Sequence, residues 1–257
     1  PTSRWLGEQL AKANGISALV RFPFPGSRLR QLVRCILDLD PTSEDPWRAE
    51  RLVWSVLTVL PALLDHPSAE SLKLWWEQHA SVSKRLNRDH WQLARCLADA
   101  VDDYALYRPQ ELSQWIEGHG DADLPAHLHW QPQLVRALAA LLPCDPFGLQ
   151  VHKAVQRLRE GDISAAALPP RLRLFGISNL APVQVELLQG LSGLMAVELY
   201  LLTPCPDLWQ RSEQRRRTLG QAWNTPPDGP WLLESPRLEA ILGRMGAEFQ
   251  LLLEGNG

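Results

Sequence analysis

The chain has 257 residues and a formal charge of −3 with a pI near 6.2, enough length for one large domain or two moderate ones with ample core. That balance excludes a basic footprint spread over the whole molecule, so nucleic-acid contact has to be local or shared with a partner. No apolar run reaches a membrane span, no signal peptide opens the chain, and the four cysteines (Cys35, Cys96, Cys144, Cys205) lack metal or redox spacing. They read as reduced core thiols of a cytoplasmic protein.

Ser3 can cap a first helix that turns Trp5, Leu6, Leu10 and Ala13 inward and ends at Gly15. The chain enters this helix directly from Pro1, which leads us to expect a strand ahead of it in a longer protein. Residues 17–22 alternate as a strand does. Phe22-Pro23-Phe24-Pro25 then has to run extended, because proline fixes φ and restricts the residue before it. A second helix is predicted from Ser27, with Leu29, Leu32, Val33, Ile36 and Leu37 on one stripe. From Asp40 to about Gly161 no strand pattern occurs. Helices are predicted at 46–64, 69–79, 81–106, 110–117, 131–142 and 147–159, with breaks at Pro61, Pro67, Pro109, Pro125 and from Pro143 to Pro146. Most of the eleven tryptophans sit among leucines at helical spacing, where packing is the default. Trp75 and Trp76 are neighbours and cannot share one helix face, so one of them needs cover from elsewhere.

Residues 172–177 form a short apolar run ending near a glycine, the form of a strand buried on both faces. An amphipathic stripe follows over 182–194, then a second apolar run over 196–203 stopped by Pro204 and Pro206. Strand, crossover helix and strand at this spacing predict a right-handed βαβ unit and a parallel sheet. Ligands of such sheets sit at the carboxyl ends of the strands. Those ends offer nothing stronger than Ser178, Asn179 and Cys205. A helix rich in arginine (Arg211, Arg215, Arg216, Arg217), a loop at 224–230 and a last helix at 236–253 complete the chain. The basic cluster is either a phosphate contact or, with Glu213 inside it, a solvated face. His119, Asp121, Asp123, His127 and His129 lie close in sequence but fit no structural zinc spacing. Ser178 lies in GISNL, which is not a nucleophile elbow.

A helical block interrupting a sheet resembles a superfamily 1 helicase motor with its RecA-like, P-loop-type sheet. The details resemble one degenerate branch. Phe22-Pro23-Phe24-Pro25, Tyr107-Arg108-Pro109 followed by Trp115 and Gly118-His119, Trp130-Gln131, Phe175-Gly176-Ile177-Ser178 and Thr203-Pro204-Cys205 are similar, in this order, to the RecC family. These are the gamma subunits of RecBCD-type helicase–nucleases (exodeoxyribonuclease V). The resemblance implies an α/β, helix-rich fold divided into a first RecA-like part (1–39, 1A-like), an inserted all-helical subdomain (40–165, 1B-like), and a return to the sheet with the βαβ unit and C-terminal helices (166–257). It also implies lost motor chemistry. Gly176-Ile177 stand where an active relative carries an Asp-Glu pair for Mg²⁺ and the attacking water, and the chain has no GxxxxGK[ST]. The implied protein is a catalytically inactive subunit with no cofactor of its own. ATP and Mg²⁺ would be used by its RecB-like and RecD-like partners, and single-stranded and forked double-stranded DNA would be the ligands, with no membrane.

In that family the helical block and the FP-P turn line a tunnel that reads a strand bearing the recombination hotspot Chi. Carried over residue by residue, the candidates here are Asp99, Asp102, Arg108, Phe24, Arg30 and Arg4. Asp99, Asp102 and Arg108 keep the family's residue type, and Phe24 replaces another apolar residue. Arg30 stands where the family has Trp, Arg4 where it has Gln, and an Arg expected near Phe147 is absent. Carboxylates accept from the amino groups of cytosine or adenine, Arg donates twice to guanine, and Phe24 can stack on an unpaired base. The plain alternative is a solvated face on which Arg95 pairs with Asp99 and Arg108 caps a helix end. Three rival readings stay open. One is an AddB-like subunit. Another is a nucleotide- or small-molecule-binding α/β enzyme with a helical lid, using 176–179 as a phosphate loop. The last is an interaction module that buries Trp75, Trp76 and Trp231 against partners.

Overall fold

A computed structural model describes residues 2–79, 87–120, 124–163, 168–177 and 179–201, together with Phe249 and Leu253. The chain forms two compact units, one of residues 30–167 and one combining 1–29 with 168–257.

The first unit is helical. It takes in α2 (Pro25–Ile36) from Arg30 onward, α3 (Ala49–Leu64), α4 (Glu70–Gln78), α5 (Arg88–Tyr107), α6 (Pro109–Ile116), α7 (Trp130–Leu141) and α8 (Phe147–Glu160), with short 3-10 turns at Pro67–Ala69 and Ala126–Leu128. One cluster of its core joins α3, α5, α6 and α7. Leu52, Val53, Val56 and Leu60 of α3 meet Ala94, Leu97, Ala98 and Val101 of α5, with Leu134, Val135 and Leu138 of α7 and Trp115 of α6. These positions recur at three- and four-residue spacing, so each helix turns one stripe inward.

Several boundaries have local causes. Arg108 is both the last cap of α5 and the first cap of α6, at φ −138° and ψ 49°. A residue before proline is pushed out of the helical region, so Pro109 ends one helix and opens the next. α8 stops at Gly161, whose φ of 71° is left-handed, the conformation glycine adopts without strain. The break expected at Pro61 does not occur. Pro61 lies inside the last turn of α3, its fixed φ suits a helix, and it forfeits one backbone bond while Leu60, Leu63 and Leu64 stay buried around it. Trp75 and Trp76 both find cover in histidines. Trp75 stacks on His79 at 4.1 Å and Trp76 on His90 at 3.5 Å between ring centroids.

In the second unit, β1 (Arg171–Phe175) and β2 (Ala196–Tyr200) pair in parallel from Arg171↔Ala196 to Phe175↔Tyr200, joined by α9 (Pro182–Ser192). α9 buries Val183, Val185, Leu187, Leu188 and Leu191. In β1, buried Leu172 and Leu174 alternate with exposed Arg171, Arg173 and Phe175. β1 ends earlier than expected because Gly176, whose N–H makes the last bond to the Tyr200 carbonyl, turns the chain out of the strand at φ 65°. The unit also holds α1 (Thr2–Asn14), which has no buried residue. The strand expected at 17–22 is absent. Leu19 sits at a left-handed φ of 60°, which breaks an extended run, and Ile16, Leu19, Val20 and Phe22 are exposed. Phe249 and Leu253 are helical, with Phe249 buried. The rest of the predicted helix at 236–253, the arginine cluster at 211–217, the loop at 224–230 and the predicted helix start at 81–86 lie outside the described residues. Among the described residues no single helix is long and apolar enough to cross a membrane.

Gly148 tests the packing of α8. A β-carbon there would meet the Ala105 carbonyl oxygen and would lie 2.6 Å from Pro109 Cβ, both at the backbone joint between α5 and α6. Gly148→Ala is expected to lower unfolding free energy by about 1–3 kcal/mol, read from the denaturant midpoint. Gly7→Ala, in α1 with nothing within 4 Å of the new carbon, should instead gain about 0.5–1 kcal/mol.

Candidate nucleic-acid interface

The six candidate residues separate into an internal group, an outward group and a pair in the other unit. Arg30 is the centre of the internal group. Its side chain is largely buried and pairs with Asp45 through Nη1, and with Asp102 through Nη2 at 3.3 Å. The guanidinium also lies 4.3 Å over the Phe147 ring, a cation–π contact strengthened by burial. Asp102 has a second task. α3 begins after Arg48, which supplies no side-chain cap, and Asp102 Oδ2 accepts the Ala49 backbone N–H at 3.2 Å. One carboxylate of α5 thus satisfies the first orphan donor of α3. Asp45 Oδ1 likewise accepts the Trp47 backbone N–H at 2.9 Å, and the Trp47 indole donates to the Cys144 carbonyl at 2.6 Å. Burial pushes the Asp102 carboxyl above its ordinary range, with Arg30 and the Ala49 N–H pulling it back.

The outward group lies on α5 and its end. Asp99 and Asp103 face solvent while Asp102 turns inward, so the three acids of one predicted face divide between core and surface. Arg95 Nε donates to Asp99 Oδ1 at 3.2 Å. Arg108 is exposed. Its Nη1 reaches Glu111 Oε2 at 3.5 Å, and its guanidinium carbon stands 5.6 Å from the Tyr104 ring centre. Such exposed pairs are weak and open readily, which leaves Asp99 and Arg108 able to exchange their partners for a ligand.

Phe24 and Arg4 belong to the other unit. Phe24 is among the most exposed large apolar side chains, and its carbonyl accepts the Arg28 N–H at 3.1 Å as α2 begins. Arg4 Nε donates to Glu8 at 3.1 Å on exposed α1. The rival phosphate loop meets an obstacle in the same unit. Gly176 N–H donates to the Tyr200 carbonyl at 2.9 Å, so one of its backbone donors is already used, as is the Ala181 N–H at the following helix start, which donates to Gln184 Oε1 at 3.0 Å; Ser178 lies outside the described residues. His129 Nε2 contacts the Leu124 carbonyl at 2.8 Å, and among the described residues no three His, Cys, Asp or Glu side chains converge as a metal site would need; Asp121 and Asp123 lie outside them.

Sequence reading missed Asp45 and Phe147 as members of the Arg30 group. The available signal was Asp45 standing just ahead of the helix that follows Pro46-Trp47, a position where an acid commonly serves a helix start.

A family model described as RecC, N-terminal domain, matches residues 1–256. The RecBCD enzyme subunit RecC of Mycolicibacterium smegmatis is 33% identical over 253 residues, covering 97% of this chain and 22% of that protein. That of Mycobacterium tuberculosis (strain H37Rv) is 34% identical over 218 residues, 80% and 19%. That of Escherichia coli K12 is 28% identical over 212 residues, 80% and 18%. The chain therefore spans about a fifth of the length of the curated relatives it matches.

Removing Arg30 strands two carboxylates. Arg30→Met is expected to cost about 3–5 kcal/mol at neutral pH, the usual penalty for breaking a buried pair from one side. Asp102 titrates higher in the folded chain than in the unfolded one. The folded state therefore holds more protons between those two values, and this group's contribution to stability falls as pH rises through that window. Without Arg30 that effect grows, so the loss should be smaller at pH 5 than at pH 7. Asp102→Asn, which keeps an acceptor for Ala49 and strands no charge, should cost less than Arg30→Met at pH 7. Denaturant unfolding at both pH values checks all three outcomes.

Proposed function

The chain belongs to the RecC family through its N-terminal domain, and on that premise we propose that it is the DNA-handling part of a RecBCD-type helicase–nuclease subunit acting in double-strand-break repair and recombination. The match over residues 1–256 carries this reading. In it the fold is a superfamily 1 helicase fold without motor chemistry, since Gly176-Ile177 offer no carboxylate to hold Mg²⁺. ATP and Mg²⁺ act in RecB-like and RecD-like partner subunits, the complex works in the cytoplasm, and this chain guides a single strand split from a forked duplex.

The residues divide the labour as their surroundings suggest. Asp99 and Arg108 are the exposed groups of α5 and its end, able to offer a base an acceptor and a forked donor. Phe24 offers a ring to an unpaired base. Arg30 and Asp102 act as positioning residues that hold α5 in place from inside the helical unit. Arg4 contributes charge from α1. Hotspot reading in the Chi manner would then rest on Asp99 and Arg108, with a base preference of its own because position 30 is Arg in place of the family's Trp.

Fluorescence anisotropy with a labelled single strand at two salt concentrations tests the reading. Arg108→Ala is expected to weaken binding several-fold at both salt concentrations and to relax any preference for guanine, while Asp99→Ala shifts the preference among the other bases. Equal binding by parent and both variants would refute the role of this surface. A thermal shift on adding ATP, of the size mass action gives for a bound ligand, would favour the nucleotide-binding alternative and count against the motor-dead account.

A further inference from the structure

One face of the two-stranded sheet carries a run of exposed rings. Phe175 closes β1 and Tyr200 closes β2, register partners with ring centroids 6.0 Å apart and planes tilted by 33°. Trp5 of α1 continues the run 6.2 Å from Phe175 at 31°. The three residues are 53% (Trp5), 40% (Phe175) and 47% (Tyr200) exposed. A contiguous series of open rings at the carboxyl ends of parallel strands is unusual for a solvated surface, and marks a binding face.

The neighbours on the same face decide what kind of ligand fits. One register step back, Arg173 Nε donates to Glu198 Oε2 at 2.7 Å, Arg171 stands 3.7 Å from the same carboxylate, and the Tyr200 hydroxyl donates to it at 2.8 Å. Two guanidiniums share one carboxylate, which leaves the patch with positive charge. Arg4 and Glu8 nearby on α1 cancel each other. An apolar protein surface laid over this face would have to bury those arginines at a cost. A ligand with flat faces and regular negative charge would meet both features at once.

We propose that Trp5, Phe175 and Tyr200 form a stacking platform for the bases of a single nucleic-acid strand, with Arg171 and Arg173 meeting its phosphates. The choice of DNA over RNA rests on the function proposed above; the stacking chemistry does not. The platform lies in the unit of 1–29 and 168–257 and is distinct from the α5 surface of the helical unit.

The test is anisotropy of the full chain with labelled oligothymidylate, an abasic oligomer of equal length, and unlabelled dTMP as competitor. Trp5→Ala and Tyr200→Ala are each expected to weaken oligothymidylate about fivefold or more, the lower end of what a stacked base contributes. Trp5→Phe should keep most of the affinity. The abasic strand should bind more weakly, and Arg171→Gln with Arg173→Gln should flatten the salt dependence. The ring positions are exposed, so unchanged circular dichroism and melting temperature accompany the expected result. Equal affinity for the abasic strand, or ring variants that bind like the parent while Arg108→Ala does not, would overturn the platform and leave the α5 reading standing. The reverse pattern keeps the platform and removes the α5 reading. Competition by dTMP as strong, base for base, as by the oligomer would convert the face into a mononucleotide site and overturn the strand. No binding by the parent in low salt overturns both.

Discussion

A guanidinium taken out of water cannot be left without carboxylates, and the helical unit is arranged around that requirement at Arg30. Its two acids come from different places in the chain, Asp45 from the segment before α3 and Asp102 from the middle of α5, and Phe147 at the start of α8 closes the remaining side. Each partner then acts again. Asp102 supplies the start of α3 with the acceptor its own cap residue lacks, and Asp45 fixes Trp47, whose indole reaches the Cys144 carbonyl ahead of α8. Charge satisfaction at one residue thus sets how these segments meet.

The same requirement sorts the acids of α5. A helix presents residues three and four apart on neighbouring positions, so Asp99, Asp102 and Asp103 look equivalent as a pattern. They are not equivalent once one of them must answer Arg30. Asp102 is spent on both oxygens, while Asp99 and Asp103 remain at the surface with Arg108 beyond them. Arg30 meets an aromatic face as well as two carboxylates, its guanidinium standing 4.3 Å over the Phe147 ring.

Much of the helical unit was legible because its apolar residues keep strict helical spacing and its prolines punctuate it. The joint between α5 and α6 needed no more than Pro109 to explain, and the end of α8 no more than Gly161. The parallel pair was legible for a related reason, since two short apolar runs bracket an amphipathic crossover. The strand expected at 17–22 was not, because alternation reports only which side chains could share a face. It does not report whether a ladder partner exists, nor that Leu19 would take a left-handed φ. The Arg30 group was hidden for a different reason. Its members are separated by 15 and 72 residues, and long-range polar pairing leaves no periodic trace in a single sequence.

Under the proposed function, a chain with net negative charge would have to meet a polyanion through small patches whose local sign departs from the average. The sheet face has that form, with Arg171 and Arg173 on the single carboxylate of Glu198. On α5 the arginines are matched by acids, so the surface adds little unspecific attraction and favours discrimination among bases through paired donors and acceptors. On the sheet face the arginines outnumber the acid and stand beside rings, a combination that holds any base and discriminates poorly. Reading a sequence and gripping a strand make opposite demands on charge, because strong unspecific attraction to phosphate masks small differences between bases. Placing the two proposed tasks in separate units of the fold would let each be met without weakening the other.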